Sequence, residues 1–525
     1  MLDSNNSNAT TLSQDLRQPL EQQPDDSFLQ DDASANDEAP STGRQILELA
    51  IPAAGALLID PLMTLVDTAF VGKYTLNEQG LPFAAPLAGM ASAAALLTFC
   101  FYLCNFLCTA TTPLVAKQRA AGNTQQAANT GGQALTLALT LGGGLTAFLL
   151  LFQQPLLQLM GTDSTGTDAN HYALAFLSVR AFAAPAVLCI DASTGVLRGY
   201  LDTKTPVVLL IAANIVNLLL DVLLVVHAGQ GPLGAAIATT SAEWISALLF
   251  LNVLSGNLPS ASEWSRSSSS SSSSDMLLDE PRRLNVVPTL AIPPWSDVQP
   301  LITASSSIFL RAIVIQSALA LAAAVVARSG GVAPASSLAA HQISLQLWMF
   351  GSFFLDSLAA AAQGLVADAL GRQDPVKVVD VSRTIFAYSL ALGLAFGFLL
   401  QVGISTEWLL DAFTSDPSTR QALSKIMPLV IAAQPLNALV FAADGILQGA
   451  TEFSYQARAM AVSGATAVAS YFAFASTAYT ITGAEQADTL LLVWSALLVL
   501  QGMRFVTSMY KLVDEPINLM NRKGT

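Results

Sequence analysis

The sequence predicts an all-α, polytopic membrane protein whose twelve transmembrane helices form two pseudo-symmetric six-helix lobes. Three observations lead to this fold class. Of the 525 residues, 53% are hydrophobic and only 11% are charged, whereas soluble domains carry about a quarter charged residues. Apolar stretches long enough to cross a bilayer recur along nearly the whole chain. Finally, the second half of the chain repeats motifs of the first half in the same order.

The apolar stretches define the predicted spans. A helix of about 20 apolar residues crosses the hydrocarbon core. By this criterion we place spans 1 to 12 at 46–72, 82–112, 131–153, 172–198, 205–228, 232–256, 297–328, 337–366, 379–403, 424–449, 455–481 and 487–510.

The segments outside the spans are polar. Residues 1–43 are rich in Asp, Glu, Ser, Asn and Gln, a composition typical of a disordered acidic tail. Residues 257–296 contain an uninterrupted serine run from Ser267 to Ser274, which predicts a flexible cytoplasmic linker. The linker separates an N-terminal lobe, 44–256, from a C-terminal lobe, 297–512, and residues 513–525 form a second tail.

The basic residues predict the orientation, because cytoplasmic loops carry an excess of Lys and Arg. Seventeen of them fall in the tails or in the loops after spans 2, 4, 6, 8 and 10, and four fall on the opposite side. We therefore expect a multi-pass membrane protein with both termini cytoplasmic. The sequence leaves open whether it lies in the plasma membrane or in a vacuolar or other organelle membrane.

The internal repeat supports the two lobes. "LVAKQRAAGN" after span 2 is echoed by "LVADALGRQD" after span 8. In spans 4 and 10, Pro185 corresponds to Pro435 and Gly199 to Gly449. Two six-helix halves in the same orientation are related by an axis along the membrane normal, as in transporters with a central cavity.

Span 1 carries two carboxylates where hydrocarbon is expected. Asp60 and Asp67 are seven residues apart, so they lie on nearly the same face of a helix. Pro52 and Pro61 each remove a backbone donor and make this helix bendable. A membrane-embedded carboxylate needs a partner, a wet cavity or a function, so both are candidates for ion coupling. The alternative is that they only cap or hydrogen-bond neighbouring helices.

Span 5 has one polar face. Asn214, Asn217 and Asp221 follow the spacing i, i+3, i+7, which gathers them on one side of the helix. Thr239 in span 6 and Asp67 in span 1 are expected at a similar depth. The cluster predicts a cavity with proton- or cation-coupling groups, although polar residues also join helices in membranes without any further function.

The C-terminal lobe offers three candidates. Arg311 in span 7 and Asp356 in span 8 are expected at comparable depth on antiparallel neighbours, which favours a structural ion pair over a substrate-binding pair. Asp444, near the inner end of span 10, is compatible with a coupling-ion ligand or with an interfacial residue. The three histidines of the chain are scattered, so we expect no metal site and no organic cofactor.

Several of these motifs resemble the multidrug and toxic compound extrusion (MATE) family, and its DinF-like branch most of all. They are Ile51-Pro52, Asp67 within "LVDTAFVG", and "TTPLVAKQRAAGN" after span 2, in a chain with two six-span halves. The long tail and the serine linker make it resemble the eukaryotic members. One position departs from the family, since Ala120 stands where a glycine is usual, whereas the repeat has Gly371.

The resemblance implies a cation-coupled antiporter that expels organic compounds, including organic acids in plants. In proton-coupled DinF-like members a first-helix Asp is the proposed proton carrier, and it matches Asp67. The cavity-lining Asn, Asp and Thr of those members match Asn217, Asp221 and Thr239. Their kinking proline matches Pro52.

We therefore hypothesise a monomeric, proton-coupled exporter of a small organic substrate, surrounded by lipid and without a nucleic-acid partner. Coupling to Na⁺ stays open, because carboxylate, amide and hydroxyl oxygens also suit that ion. A flippase for lipid-linked oligosaccharides would need a more basic cavity than Arg180 and Arg311 provide. A major-facilitator transporter would have a basic loop after span 2, and a passive channel would need no gradient. An intramembrane enzyme is not expected, since its usual motifs are absent.

Overall fold

The structure is a computed structural model that describes residues 41–75, 84–160, 169–263, 284–288, 295–327, 334–482 and 488–514. The acidic tail before residue 41, the serine run and the tail after residue 514 lie outside these ranges. The described residues contain twelve helices that are long and apolar enough to cross a membrane. The predicted all-α class and the number of spans are therefore confirmed.

Spans 1 to 6 form the N-terminal half. Spans 2 and 4 each consist of two helices, and span 5 ends in a π-helical turn. The observed bounds are span 1 Thr42–Tyr74, span 2 Ala84–Cys104 and Phe106–Ala120, span 3 Thr124–Leu151, span 4 Ala169–Arg180 and Ala184–Gly199, span 5 Lys204–Asp221 and Val222–His227, and span 6 Gly231–Leu254.

Spans 7 to 12 form the C-terminal half, and each is one continuous helix. Short helices lie between some spans, at Gln153–Leu159 and Trp408–Phe413. The observed bounds are span 7 Trp295–Ala327, span 8 Pro334–Gly371, span 9 Pro375–Ser405, span 10 Pro417–Gly449, span 11 Phe453–Thr482 and span 12 Thr489–Asp514.

The break in span 4 has a local cause in Pro185. A proline cannot donate to the carbonyl four residues earlier, so the Ala181 carbonyl accepts instead from the N–H of Ala184, three residues later. The hydroxyl of Thr146 in span 3 donates to this oxygen at 2.7 Å, and the indole N–H of Trp244 in span 6 donates to the Phe182 oxygen at 3.0 Å. Neighbouring helices thus supply additional donors at the break, in a region where a bilayer offers no water.

The internal repeat is visible as repeated packing of small residues. A Cβ atom on Gly142 in span 3 would lie 2.7 Å from the Pro185 nitrogen in span 4. A Cβ atom on Gly393 in span 9 would lie 3.2 Å from Cα of Pro435 in span 10. Spans 3 and 4 therefore approach each other closely within the N-terminal half, and spans 9 and 10 do the same at the equivalent position of the C-terminal half.

A second repeated contact joins spans 2 and 4 and, equivalently, spans 8 and 10. A Cβ atom on Gly199 would lie 2.7 Å from Cβ of Val115, and one on Gly449 would lie 2.9 Å from Cβ of Val366. The residues that the sequence repeat aligns thus occupy corresponding places in the fold, which explains why both halves retain glycine there.

The two halves meet at the face of the bundle that carries Thr42 and Asp514, here called the terminal face. Arg119 at the end of span 2 forms an ion pair with Asp368 at the end of span 8. Beside this pair, a Cβ atom on Gly371 would lie 2.7 Å from Cβ of Ala120. The two repeated loop motifs therefore contact each other, and a side chain at position 371 would separate them.

Span 1 is anchored in both halves. Near the terminal face, Ile46 and Ala50 are buried in a core cluster with residues of the C-terminal half such as Leu365 and Ile446. At the other end of the helix, Val71 is buried in a core cluster of the N-terminal half. Residues 57–66 between these ends are half-exposed or exposed. Although chain order assigns span 1 to the N-terminal lobe, its first turns pack into the core of the other half.

Parts of the expected linker are packed. The side chain of Val286 is 1% exposed within a core cluster of the N-terminal half, and its N–H donates to the Leu254 carbonyl at 2.8 Å. The Ser262 hydroxyl donates to Asp202 at 3.0 Å. The structure thus differs from the expectation of a flexible segment at 257–263 and 284–288, because apolar and polar side chains there find partners on the bundle.

Replacement of Gly142 by Ala tests the repeated packing. We expect a loss of about 1–3 kcal/mol in unfolding free energy, because the added methyl overlaps Pro185. The matched control is Gly143→Ala, since a Cβ atom there would meet nothing within 4 Å; it should leave stability unchanged or raise it by up to about 1 kcal/mol. Thermal unfolding in detergent measures both, and equal midpoints for the two variants would contradict the proposed contact.

Candidate functional site

Asp67 is the centre of a polar pocket between spans 1, 5 and 6. Its side chain is 7% exposed, and the neighbouring Asn217 and Asp221 are 1% and 0% exposed. The Asn217 amide donates to one Asp67 oxygen at 3.2 Å, and the Thr239 hydroxyl lies 3.2 Å from the other. The structure thus brings together the four residues that sequence spacing placed at one depth.

The pocket contains more acceptors than donors. The Asp221 carboxyl contacts the Asp67 carboxyl, yet neither Asp221 oxygen has a donor, and the side-chain oxygen of Asn217 also lacks one among the described residues. Thr239 has a single hydroxyl proton, which it shares between Asp67 and the Ala235 carbonyl at 2.9 Å. Buried acceptors without donors are costly, so the site is suited to take up a proton or a small cation.

The π-helical turn follows Asp221 directly. The N–H of Ala228 donates to the Leu223 carbonyl five residues earlier at 2.9 Å, and the segment Val222–His227 is wider than an α-helix. Such turns are rare and are frequent at functional sites. Here the turn begins one residue after the buried Asp221 carboxylate and ends span 5 at His227.

Two other candidates of the N-terminal half lie outside this pocket. Asn214 is half-buried and donates to the Leu210 carbonyl of its own helix at 2.9 Å. Asp60 is exposed in the middle of span 1. Pro52 lies in the packed first part of span 1, whereas Pro61 lies in its less packed middle.

Three carboxylates within spans 1, 4 and 8 are not fully buried. Asp60 and Asp356 are exposed and Asp191 in span 4 is half-exposed. Asp191 lies within electrostatic reach of Asp60, and Asp356 within reach of Arg198 in the other half. Because carboxylates are not stable against lipid, we infer that they face an aqueous cleft between the halves.

The predicted pair of Arg311 with Asp356 is wrong. Arg311 forms an ion pair with Asp444 instead, and Arg504 binds the same Asp444 oxygen at 2.6 Å. Asp444 is 7% exposed, so this ion-pair cluster is buried within the bundle. Depth along antiparallel helices could be estimated from the sequence, but which neighbour each side chain faces depends on helix rotation.

A hydrogen-bonded chain extends from this ion-pair cluster. Arg504 donates to Gln501 at 2.6 Å, Gln501 donates to Asn437 at 2.6 Å, and Asn437 donates to Ser352 at 3.3 Å. Two guanidiniums share the Asp444 carboxylate, so donors exceed acceptors in this cluster. The cluster therefore has the opposite excess from the Asp67 pocket.

Sequence reasoning missed three functional-site candidates. Arg504, Asp191 and Glu243 were not singled out, although each is ionisable within or beside a predicted span, and Arg180 was named as a cation of the membrane interior without its partner. Arg180 and Glu243 form a double ion pair between spans 4 and 6. A search for every ionisable residue inside the spans would have found them, whereas their partners needed the tertiary structure.

Replacement of Asp444 by Asn tests the revised pairing. We expect a loss of about 3–5 kcal/mol in unfolding free energy, because two buried guanidiniums lose their counter-ion. The matched variant Asp356→Asn removes a carboxylate that makes no ion pair among the described residues, and it should change stability by less than about 0.5 kcal/mol. Thermal unfolding in detergent compares them, and a larger loss for Asp356→Asn would restore the original pairing.

The comparisons with known proteins agree with this geometry. The MatE family model matches residues 52–223 and 308–474, one segment in each half. Protein DETOXIFICATION 43 of Arabidopsis thaliana is 26% identical over 531 residues, covering 90% of this chain and 90% of the relative. DNA damage-inducible protein F of Escherichia coli (strain K12) is 28% identical over 426 residues, covering 81% of this chain and 84% of the relative.

Solved structures show the same fold. A crystal structure of MATE in the bent conformation superimposes with a TM-score of 0.74 at 17% identity, covering 91% of this chain and 96% of that chain. A multidrug-resistance MATE transporter of the MOP superfamily in an outward-facing conformation gives 0.71 at 16% identity, covering 92% and 98%. The two family-model matches, supported by this fold and these relatives, show that the chain belongs to the MATE family of membrane transporters, which extrude compounds.

Proposed function

We propose that this transporter exchanges protons for an organic compound and that the Asp67–Asp221 pair carries the proton. The observation that supports it is the excess of buried acceptors around two touching carboxyls. One added proton would turn an acceptor into a donor, form a hydrogen bond between the two carboxyls and remove one buried charge. The two carboxyls titrate as a unit, so a single midpoint belongs to the pair.

Span 1 would transmit this event to the cleft. Its first turns are held by the C-terminal half and its last turns by the N-terminal half, whereas residues 57–66 are the least packed part. A change of hydrogen bonding at Asp67 would therefore bend the helix near Pro61, with Pro52 as a second weak point. Such bending would move the halves relative to one another and change the volume of the cleft between them.

Sodium is the second candidate for the coupling ion. Asp67, Asp221, Asn217 and Thr239 together present carboxylate, amide and hydroxyl oxygens, which are suitable ligands for a hard cation. A bound Na⁺ would also satisfy the acceptors that lack donors. Protonation needs no change in the positions of these oxygens, whereas a cation would need several of them to converge, so we place the proton first.

The substrate is a small organic molecule, either a cationic or amphipathic xenobiotic or an organic acid. We propose a monomer surrounded by lipid, with both termini in the cytoplasm and no nucleic-acid partner. In that orientation the terminal face is cytoplasmic, and the Arg119–Asp368 contact closes the cytoplasmic side. The membrane would be the plasma membrane or that of a vacuole or another organelle.

Transport in proteoliposomes tests the proposal. Tetraphenylphosphonium and radiolabelled malate serve as a cationic and an acidic probe, each offered under an imposed pH gradient or an imposed Na⁺ gradient. We expect Asp67→Asn to lower gradient-driven transport at least about tenfold, because the variant side chain cannot exchange a proton. Asn214→Ala is the matched control, since Asn214 bonds only within its own helix among the described contacts, and it should retain transport.

Two outcomes would change the conclusion. If Asp67→Asn transports at the wild-type rate under a pH gradient, the pair does not carry the proton. If the wild type responds to the Na⁺ gradient and not to the pH gradient, and Asp67→Asn abolishes this response, Na⁺ replaces the proton at the same residues.

A further inference from the structure

We propose that His227 is a positioning residue for proton coupling: its ring holds the π-helical turn at the end of span 5, and this turn aims the Asp221 carboxyl at Asp67. The inference rests on the proposed function, because the direction of Asp221 matters only if the carboxyl pair takes up the coupling ion. His227 itself lies outside the pocket, at the exposed end of span 5.

The ring of His227 binds the first carbonyl of the turn. Its Nδ1 atom lies 2.8 Å from the Val222 oxygen, five residues earlier in the chain. A carbonyl oxygen can only accept a hydrogen bond, so Nδ1 carries a proton and donates it. Because Val222 directly follows Asp221, the ring is fixed to the residue next to the buried carboxyl.

The turn determines the direction in which Asp221 faces. A ring closed between residues five apart contains one residue more than the α-helical ring. Residues on the two sides of the turn are therefore offset by one position, which is about 100° of rotation around the helix axis. Asn217 and Asp221 lie before the turn, and the hairpin to span 6 lies after it. Loss of the wide turn would thus rotate both side chains away from Asp67.

The turn is packed against both other helices of the pocket. Val225 near its centre is 0% exposed and belongs to a core cluster with Val71 of span 1 and Ala235 of span 6. A Cβ atom on Gly234 of span 6 would lie 3.1 Å from the carbonyl carbon of Leu224 in the turn. Span 6 therefore approaches the backbone of the turn as closely as a glycine allows.

The hairpin after the turn provides a fixed base for the ring. Gly229 and Gly231 adopt left-handed backbone conformations, with φ values of 64° and 54°, which other residues adopt rarely. A Cβ atom on Gly231 would lie 3.0 Å from the side chain of Thr75 at the end of span 1. The hairpin is thus closed on span 1, and His227 holds the turn from a fixed position.

The hydrogen bond does not require a particular charge on His227. Nδ1 keeps its proton both in this neutral tautomer and in the imidazolium ion, and Nε2 is the nitrogen that gains or loses one. The turn packs against spans 1 and 6. The titratable groups on the adjoining parts of these helices, 67–75 and 231–242, are Asp67, Lys73 and Tyr74. The role therefore needs a donor at this position and not a titrating ring.

Replacement of the donor separates position from charge. In His227→Asn the amide nitrogen occupies nearly the place of Nδ1 and can donate to Val222, whereas His227→Leu cannot donate. Groups that orient functional ligands contribute about 10- to 100-fold to activity. We therefore expect His227→Leu to lower pH-gradient-driven transport of tetraphenylphosphonium or malate at least about tenfold, and His227→Asn to retain it. Leu223→Ala is the matched control, because this side chain of the same turn is 57% exposed.

Infrared spectroscopy gives a readout without any substrate. The carbonyl band of protonated carboxyl groups is recorded as the difference between acidic and neutral pH for the purified full chain in detergent. The component missing in Asp67→Asn is assigned to the pair. In His227→Leu this component should shift to higher wavenumber, because a carboxyl that turns away from its partner loses a hydrogen bond. His227→Asn and Leu223→Ala should keep the wild-type position.

Gly234→Ala perturbs the turn without changing His227. The added methyl would press on the backbone of Leu224, so the infrared component should shift in the same direction as in His227→Leu. This variant keeps the inference testable if His227→Leu does not fold, and an unchanged component in folded Gly234→Ala would overturn it.

Two further results would contradict a positioning role. If His227→Leu retains both the transport rate and the infrared component of the wild type, the turn does not need the ring. If His227→Asn loses both as His227→Leu does, the titrating ring acts and not the donor. Failure of the proposed function is recognised separately, because Asp67→Asn would then transport at the wild-type rate and leave the infrared difference spectrum unchanged.

Discussion

The fold depends on the cost of holding charge within a hydrocarbon layer. A carboxylate in the membrane interior requires a proton, a counter-ion or water. The described residues differ in how they meet this requirement. Asp444 is neutralised by Arg311 and Arg504, Asp60 is exposed on the side of the inferred cleft, and Asp67 with Asp221 retains acceptors without donors. The last arrangement is the one that an added proton or cation would complete, and this is why we propose the coupling site there.

The two halves share a packing scheme and differ in their polar interior. Gly199 allows span 4 to pack closely on span 2, and Gly449 allows span 10 to pack in the same way on span 8. Pro185 and Pro435 likewise lie at corresponding contacts in the two halves. The Asp67 pocket of the N-terminal half nevertheless has an excess of acceptor oxygens, whereas the Asp444 cluster of the C-terminal half has an excess of guanidinium donors. Packing tolerates few changes at close contacts, while polar side chains within the same frame can diverge. The pseudo-symmetry therefore describes the scaffold and not the chemistry.

Span 1 connects the chemistry with the scaffold. It is clamped in the C-terminal half at Ile46 and Ala50 and in the N-terminal half at Val71. Between the clamps lie Asp60 and Pro61, in a segment with little packing to lose on bending. In the proposed mechanism, a proton at Asp67 and a movement of the halves would therefore act on the same helix, and the path between them would be no longer than one span.

Hydrophobic length, charge composition and the internal repeat were sufficient to predict the all-α class, the twelve spans and the two halves, because the bilayer imposes these properties locally on each segment. Helical spacing likewise placed Asn217 and Asp221 on one face at the depth of Asp67 and Thr239. Only the tertiary structure decided that Arg311 binds Asp444 and not Asp356, that Glu243 neutralises Arg180, and that the start of span 1 packs into the other half. These outcomes depend on the rotation and tilt of each helix against its neighbours, which side-chain packing sets and which spacing along one chain segment does not contain.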